Sequence, residues 1–327
     1  MDDKKYILGY DIGGTKIAIS IADSLGKILD SDRIKTGEDS IPEQVMEDVK
    51  KITAKILQKV GLSLEDVRAA GIASPGPIDV PNGIMLPSPN MPNWKNVPIK
   101  KWLEEFLGVD VFFDNDANAG VLVEWFFGAG RGKKDVLYLT MSTGIGGGII
   151  SNGVLIQGHT GQAGEVGHNI IDINGPECGC GMKGCFEAFC GGNAVSKRLR
   201  KIVENNPNHP FLAIEGVDGN PENLSYPEIR KAAENGLPEA IRFWDETCMR
   251  LAQGIGICMM TLNPEVIILG TLALYSGDTL MVPLKKYIKR FAWPEMYENC
   301  EITKSELGKH IGELAGIAVA LYGLRDR

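Results

Sequence analysis

Six metal-binding or acidic residues within 23 positions constrain the fold of this chain more than any other feature of its sequence. They are Glu165, His168, Cys178, Cys180, Cys185 and Glu187. Three thiols and one imidazole complete a tetrahedral Cys₃His zinc shell, the closed type of site that stabilises structure. The sequence therefore predicts a zinc knuckle with four ligands, which are His168, Cys178, Cys180 and Cys185.

Two glutamates, Glu165 and Glu187, flank the predicted zinc ligands. A zinc clamp would hold both carboxylates in fixed positions, where they can accept hydrogen bonds from hydroxyl groups. This arrangement favours recognition of a polyhydroxylated ligand, because metal catalysis would leave a coordination position open. The alternative interpretation is a zinc knuckle that only stabilises a loop and binds no ligand.

Length, charge and cysteine usage narrow the class of protein. A chain of 327 residues is expected to form two domains. Its net charge of −8 argues against a nucleic-acid partner, although backbone amides can still bind phosphate. An odd number of cysteines, three of them in metal spacing, suits a reducing cytosol. The sequence shows no signal-peptide pattern and no apolar run of about 20 residues. We therefore expect a soluble cytoplasmic protein without a membrane partner.

The turn that follows the first predicted strand carries the features of a phosphate site. Gly13 and Gly14 have no side chains, so their amides can approach a phosphate closely. Thr15 and Lys16 can donate hydrogen bonds to its oxygens, and Asp11 could hold Mg²⁺ directly or through water. An ordinary hairpin is the alternative interpretation of this single turn.

A second turn of the same kind spans residues 142–148, after a predicted strand over 136–141. Neither turn is a Walker A loop, and the second lacks the dinucleotide fingerprint because Ile149 replaces its last glycine. Two glycine turns that each follow a buried strand favour phosphate binding and two related α/β halves.

The polar, proline-rich stretch 205–227 predicts an exposed insertion.

Phosphoryl transfer also requires a base that accepts the hydroxyl proton. Asp116 is the candidate, because it follows a predicted strand at the point where open α/β sheets place ligands. Asp114 competes with it on spacing alone. Asp116 could instead only cap the helix predicted over 117–127.

Six segments together resemble the conserved motifs of one family. They are Asp-Ile-Gly-Gly-Thr-Lys at 11–16, Pro-Gly-Pro-Ile-Asp at 75–79, Asn-Asp-Ala-Asn at 115–118, Ser-Thr-Gly-Ile-Gly-Gly-Gly at 142–148, Glu-Val-Gly-His at 165–168 and the cysteine run at 178–187. In this order they resemble the ROK family, which contains ATP-dependent sugar kinases and sugar-responsive repressors. The resemblance implies an α/β, actin-like or hexokinase-type (ribonuclease H-like) fold, with a ligand cleft between two domains. It implies a small domain of residues 1–116 plus a returning helix at 309–327, and a larger domain of residues 117–308 with the zinc knuckle at 168–187.

The resemblance also implies a role for each matching residue. Asp116 would take the proton from the C6 hydroxyl of the sugar. The sugar hydroxyls would be bound by Gly76, Asn90, Asn115, Glu165, His168 and Glu187. ATP and Mg²⁺ would be bound by Asp11, Gly13, Gly14, Thr15, Lys16, Thr143, Gly144 and Gly270. The family further implies a homodimer or homotetramer.

One position departs from the family pattern. After the strand predicted over 266–269, the family usually has two or more glycines against the nucleotide, whereas this chain has Gly270 and then Thr271. A β-branched side chain next to the adenosine predicts weaker ATP affinity, a different phosphoryl donor or lost activity.

Four functions are compatible with these motifs. An ATP:hexose 6-phosphotransferase acting on glucose leads, because Ala163-Gly164-Glu165 looks more like the glucokinase branch than the acetylhexosamine branch. An N-acetylglucosamine or N-acetylmannosamine kinase is the first alternative. A catalytically silent sugar sensor is the second, motivated by Thr271. A repressor is disfavoured, because the first predicted strand starts at residue 6 and leaves no room for a helix-turn-helix domain.

Overall fold

The computed structural model describes residues 5–37, 39–87 and 91–325. Contacts divide the chain into two compact units. The first comprises Met1–Gly132, Leu155–Ala163 and Glu306–Arg327, and the second comprises Lys133–Val154 and Gly164–Ser305. The functional domain boundaries inferred from the family resemblance stay a prediction.

Strands and helices alternate along the chain in the manner of an α/β protein. The strands are β1 (Tyr6–Ile12), β2 (Lys16–Asp23), β3 (Ile28–Lys35), β4 (Val67–Ser74), β5 (Ile78–Asp79), β6 (Ile84–Met85), β7 (Asp110–Asn115), β8 (Val136–Met141), β9 (Ile145–Ser151), β10 (Val154–Leu155), β11 (Val266–Leu269) and β12 (Glu301–Lys304). The α-helices are α1 (Pro42–Lys59), α2 (Ile99–Leu107), α3 (Asp116–Phe127), α4 (Phe186–Cys190), α5 (Gly192–Val203), α6 (Tyr226–Glu234), α7 (Pro238–Leu262), α8 (Leu272–Ile288), α9 (Pro294–Asn299) and α10 (Ile311–Gly323).

The sheet of the first unit has the strand order β3-β2-β1-β4-β7. Strands β1, β2 and β3 pair antiparallel, whereas β4 runs parallel to β1, and β7 runs parallel to β4. In this register Asp11 pairs with Ala73, and Ala73 pairs with Asp114. The carboxyl ends of β1, β4 and β7 therefore share one edge, where open α/β sheets place their ligands.

Helix α10 lies directly against one face of this sheet. A Cβ atom at Gly71 would be 2.1 Å from the carbonyl oxygen of Gly316, so two glycines allow strand and helix to touch. The opposite face buries a core to which α1 and α2 contribute, including Val49 and Leu103. Strands β1, β2 and β4 are buried on both faces along most of their length, which holds this edge on a rigid sheet.

The sheet of the second unit has the strand order β10-β9-β8-β11-β12. Strands β8 and β9 form an antiparallel hairpin, and β11 and β12 continue the sheet in parallel. Strands β9, β8, β11 and β12 thus repeat the order and the relative directions of β2, β1, β4 and β7 in the first unit. This repeat agrees with the two related halves predicted from the glycine turns. The long helix α7 supplies much of this unit's core through residues such as Leu251, Ile255 and Met259.

The stretch 205–227 differs from its prediction as an exposed insertion. Five apolar side chains from it are buried in the core of the second unit, namely Phe211, Ile214, Val217, Leu224 and Tyr226. Short 3₁₀ turns at Pro210–Ala213 and Pro221–Asn223 direct these side chains inward. The polar and proline residues form the turns, and the isolated apolar residues between them pack into the core.

Among the described residues, no helix combines the length and the apolar character needed to cross a bilayer.

Candidate active site

The four predicted zinc ligands lie together in the second unit. One ligand atom from each of His168, Cys178, Cys180 and Cys185 lies within 4.8 Å of all the others. The Cys178 Sγ atom is 3.7 Å from His168 Nδ1, and the Sγ atoms of Cys180 and Cys185 are 3.7 Å apart. Since Zn–S bonds are about 2.3 Å long, the edges of a tetrahedral thiolate site measure about 3.8 Å. The donor set and its spacing are thus compatible with zinc.

Glycines allow the tight backbone of the knuckle. Residues Glu177 and Lys183 form an antiparallel bridge, and the Cys178 amide donates to the Met182 carbonyl at 2.8 Å. At Gly184 the backbone φ is +74°, and a Cβ atom would be 1.6 Å from the carbonyl oxygen of Asp172. No other residue fits there, because both the backbone conformation and the space exclude a side chain.

His168 presents its two ring nitrogens to different partners. Its Nδ1 atom faces Cys178, and its Nε2 atom is 3.9 Å from a carboxylate oxygen of Glu165. Metal-bound histidines commonly direct the second ring nitrogen toward a carboxylate, which fixes the orientation of the ring. The Glu165 side chain is 61% exposed, so its carboxylate can still meet a ligand.

Glu187 connects the knuckle to the second glycine turn. Its Oε2 atom accepts a hydrogen bond from the Ile145 amide at 2.8 Å, and its Oε1 atom is 3.7 Å from Cys178 Sγ. A Cβ atom at Gly144 would be 2.2 Å from the same Oε2 atom, so this contact requires glycine. The turn is held from its other side by α5, whose Gly192 and Asn193 amides donate to the carbonyls of Ser142 and Thr143 at 2.9 and 3.0 Å.

The first glycine turn, in the first unit, is closed by its own backbone. The Gly13 amide donates to the Lys16 carbonyl at 3.0 Å, and the Thr36 hydroxyl donates to the Gly13 carbonyl at 3.0 Å. The side chains of Thr15 and Lys16 are exposed. The Gly13 amide is used within the turn, so the turn can offer the Gly14 amide, a hydroxyl and an ammonium group to an anion.

Asp11 titrates at an unusual pH for a carboxyl group. Burial, and next the negative charge of Asp116, raise its pKa from 3.8 to about 6, although Lys16 and Arg33 act against the shift. Two carboxylates that repel each other at the end of a strand favour a cation between them. Oxygen ligands of this kind suit Mg²⁺.

We predict that Asp11→Asn stabilises the free protein at pH 7.5 by about 3 kcal/mol. Because the folded-state pKa lies above the unfolded value of 3.8, the folded state binds more protons between pH 4 and 6. The stability of the unsubstituted chain therefore falls as the pH rises through this window and stays low above it. At pH 4 the gain from Asp11→Asn should be small.

Urea unfolding of the two proteins at pH 4.0 and 7.5 tests this prediction. Asp48→Asn, which changes an exposed acid on α1, is the matched control and should give similar small changes at both pH values. A gain from Asp11→Asn that is equal at both pH values would contradict the assigned pKa shift.

Hydrogen bonds distinguish Asp114 from Asp116. Asp114 is buried and accepts hydrogen bonds from the Asn115 amide at 2.8 Å, Asn118 Nδ2 at 2.7 Å and Gln157 Nε2 at 2.7 Å. Burial raises the pKa of its carboxyl group. These bonds give Asp114 a structural role.

Asn115, rather than Asp116, caps the helix that follows. Its Oδ1 atom accepts a hydrogen bond from the Asn118 amide at 2.7 Å. Asp116 lies in the first turn of α3, where the helix dipole favours a carboxylate, and its side chain is exposed. The assignment of Asp116 as the base stays a prediction, and the N-cap bond that was its alternative role is made by Asn115.

Gln157 belongs to the site and was missed by the sequence analysis. It lies between β10 and Glu165, and its bond to Asp114 fixes the end of β7 just before Asn115 and Asp116. A single glutamine in a polar loop carries no sequence signal.

Two further residues were predicted to bind the sugar. Gly76 has open space around its Cβ position, and Asn90 lies outside the described residues.

Gly270 and Thr271 follow β11 in a constrained conformation. A Cβ atom at Gly270 would be 2.3 Å from the Tyr138 hydroxyl, so glycine is required there. Thr271 has a φ of +38°, which is unfavourable for a β-branched residue. The chain thus accepts backbone strain at the position where its sequence departs from the family pattern.

Comparisons with known proteins identify similar sequences and similar structures. The model of the ROK family matches residues 7–321. Glucokinase of Thermotoga maritima is 35% identical over 316 residues, which cover 97% of each chain. The ROK hexokinase of Thermus thermophilus is 29% identical, with a TM-score of 0.85 over 98% of this chain and 100% of its own. A ROK glucokinase of Streptomyces griseus, solved with glucose and AMPPNP, is 30% identical, with a TM-score of 0.76 over 96% and 99%.

Proposed function

The chain belongs to the ROK family, and we propose that it is a glucokinase-type enzyme that transfers the γ-phosphate of ATP to the 6-hydroxyl of glucose. The observation that carries this proposal is the full-length similarity to a glucokinase, at 35% identity over 97% of both chains. The actin-like α/β fold shared with ROK hexokinases supports it.

The proposed chemistry begins with the proton of the sugar's 6-hydroxyl. Asp116 would accept this proton as the oxygen attacks phosphorus, because its carboxylate is exposed at the start of α3. Asp114 and Gln157 would act as positioning residues, since their hydrogen bond fixes the strand end that carries Asp116. Asp114 itself is unavailable as a base because three donors already occupy its carboxylate.

The glycine turns would hold the phosphates. The Gly14 amide, together with Thr15 and Lys16, would bind phosphate oxygens, and Gly13 would leave room for their approach. Thr143 and Gly144 in the second turn, and Gly270 after β11, are the other proposed phosphate and nucleotide contacts. Bound Mg²⁺ supplies positive charge against the phosphate oxygens, and Asp11 would hold it directly or through water.

Sugar hydroxyls would be recognised by groups that the zinc knuckle fixes. Glu165, His168 and Glu187 would accept or donate hydrogen bonds, and Gly76, Asn90 and Asn115 would complete the sugar site. The Oδ1 atom of Asn115 is used in the helix cap, so its Nδ2 group would meet the sugar. Zinc in this scheme is structural, because four protein ligands leave no position for substrate.

The cellular setting follows from the same chemistry. All seven cysteines lie within the described residues and none forms a disulfide, while three of them are the proposed zinc ligands. This suits the reducing cytoplasm where glucose and ATP would meet at the start of glycolysis. We also propose a homodimer or homotetramer, as is usual in the family. Sedimentation of the purified chain would test the assembly.

A coupled ADP-release assay with Mg-ATP tests the substrate assignment. Glucose should give the highest kcat/KM among glucose, mannose, fructose, N-acetylglucosamine and N-acetylmannosamine. Preference for an N-acetyl sugar would replace the glucose assignment with the acetylhexosamine kinase. Silence with all five sugars in folded, zinc-loaded protein, combined with measurable glucose binding, would favour the sugar sensor.

We predict that Thr271→Gly both stabilises the chain and lowers the KM for ATP. Removal of a β-branched side chain at a φ of +38° should relieve about 1 kcal/mol of strain. It also clears space beside the backbone that would approach the nucleotide. Thermal unfolding and ATP-dependent initial rates measure the two effects.

Thr261→Gly is the matched control for this substitution. Thr261 is an exposed residue of α7, where glycine should destabilise the helix by up to about 1 kcal/mol. A destabilised Thr271→Gly protein would refute the strain, and an unchanged or higher KM for ATP would refute the link to the nucleotide.

A further inference from the structure

A cavity of about 340 Å³ lies in the second unit, beside the zinc knuckle and outside the residues assigned to sugar or ATP. One wall is the knuckle segment around Gly175, Glu177 and Lys183, and the other is the face of α5 that carries Lys197, Arg198 and Lys201. Its volume is in the range of small-molecule sites, which is about 300–1,000 Å³.

The lining of this cavity is basic, although the chain as a whole carries a net charge of −8. Four cationic side chains and one acid, Glu177, line it. Two of the cations have carboxylate partners: Arg198 contacts Glu246 at 2.9 Å, and Lys183 contacts Glu177 at 3.8 Å.

The remaining two cations are Lys197 and Lys201, one helical turn apart on α5. Both are exposed, and no ion pair is recorded for either within the described part of the chain. Like charges at this spacing repel and destabilise a helix by about 0.2–0.5 kcal/mol. An anion placed between them would remove this repulsion.

We propose that this cavity binds the phosphate group of a small phosphate ester. A dianionic phosphate presents three acceptor oxygens and can therefore engage both lysines of α5 and Lys183 of the knuckle at once. A carboxylate carries one negative charge and would neutralise only part of the excess positive charge in the cavity. Small side chains at Ala188 and Ala194 leave room in the cavity for the organic part of the ester.

The position of α5 makes this site a regulator of the second glycine turn. The first amides of α5, from Gly192 and Asn193, donate to the carbonyls of Ser142 and Thr143. A phosphate ester that joins α5 to the knuckle thus restrains both elements that hold this turn, since Glu187 of the knuckle region bonds the Ile145 amide. This coupling rests on the proposed kinase function, whereas binding of the ester does not.

Calorimetric titration of the zinc-loaded full chain with glycerol 2-phosphate tests the binding site. This probe is neither a sugar nor a nucleotide, and the titration is performed without ATP and glucose at constant ionic strength. Saturable binding is expected, and Lys197→Ala/Lys201→Ala should weaken it about tenfold or more. Lys197→Arg/Lys201→Arg should retain binding, because the charges are kept.

The control is Lys285→Ala/Lys289→Ala, which removes two exposed lysines at the same spacing near the end of α8. This variant should bind the probe like the unsubstituted chain. Equal affinity in the Lys197/Lys201 alanine variant, or no saturation in the unsubstituted chain, would overturn the site.

Initial rates at varied ATP test the coupling separately. Saturating glycerol 2-phosphate should change the KM for ATP at least twofold in the unsubstituted chain and leave it unchanged in Lys197→Ala/Lys201→Ala. An equal change in both proteins would place the effect at the ATP site and overturn the coupling. Loss of kinase activity alone would overturn the proposed function and leave the calorimetric result standing.

Discussion

Asp116→Asn is expected to lower kcat by about 10²–10⁴-fold, the range for loss of a general base. Asparagine keeps the size and hydrogen-bonding reach of the side chain but cannot accept the proton of the sugar's 6-hydroxyl at neutral pH. Glucose affinity, measured by calorimetry without ATP, should change little. Thermal stability should be retained or rise slightly, because the side chain is exposed and its negative charge opposes the ionisation of Asp11.

Asp114→Ala is the contrasting substitution two residues away. Its removal leaves three donors, one each from Asn115, Asn118 and Gln157, without their buried acceptor. We expect a loss of about 2–3 kcal/mol in the free energy of unfolding. Near-normal turnover in Asp116→Asn, with glucose binding intact, would show that another group is the base.

Cys180→Ser is expected to lower zinc affinity on the order of 10²-fold or more, because the shell loses a thiolate ligand. The Cys180 side chain is exposed, so its replacement costs little packing, and any loss of stability reports the lost metal. We expect the free energy of unfolding to fall by about 2–3 kcal/mol, because zinc binding contributes directly to folding. Metal content by atomic absorption and thermal unfolding measure the two effects.

Loss of zinc should also reduce turnover, because the knuckle positions Glu165, His168 and Glu187. Met182→Ala, which shortens a partly exposed side chain in the same loop, is the matched control and should keep both zinc and activity. Full zinc stoichiometry in Cys180→Ser would refute the ligand set. A zinc-free protein with unchanged stability and turnover would refute the structural role.

Local spacing was sufficient to predict the parts of the site that are formed by neighbouring residues. The four predicted metal ligands lie together, and glycines at 181 and 184 turn the backbone among three cysteines that fall within eight residues. Both glycine turns follow strands whose apolar runs identify them directly. The family resemblance then supplied the fold, which the comparisons confirm.

Contacts between distant residues could not be predicted in this way. The bond from Gln157 to Asp114 spans 43 positions, and neither residue type distinguishes a structural from a catalytic partner. Spacing therefore left the choice between Asp114 and Asp116 open. Burial and hydrogen bonds distinguish the two side chains, and the assignment of Asp116 as the base stays a prediction. Similarly, no local pattern predicts the positive φ of Thr271 or the close approach of Gly270 to Tyr138.

The most direct test of the central claim is ³¹P and ¹³C NMR of a reaction of Mg-ATP with ¹³C-labelled glucose and catalytic amounts of the chain. The account predicts equimolar ADP and a single phosphate ester, with phosphorus coupling at carbon 6 of glucose. ATP that remains intact, or that is hydrolysed to free phosphate without a sugar ester, would contradict the proposed kinase. An ester at any other carbon would contradict the role assigned to Asp116 at the 6-hydroxyl.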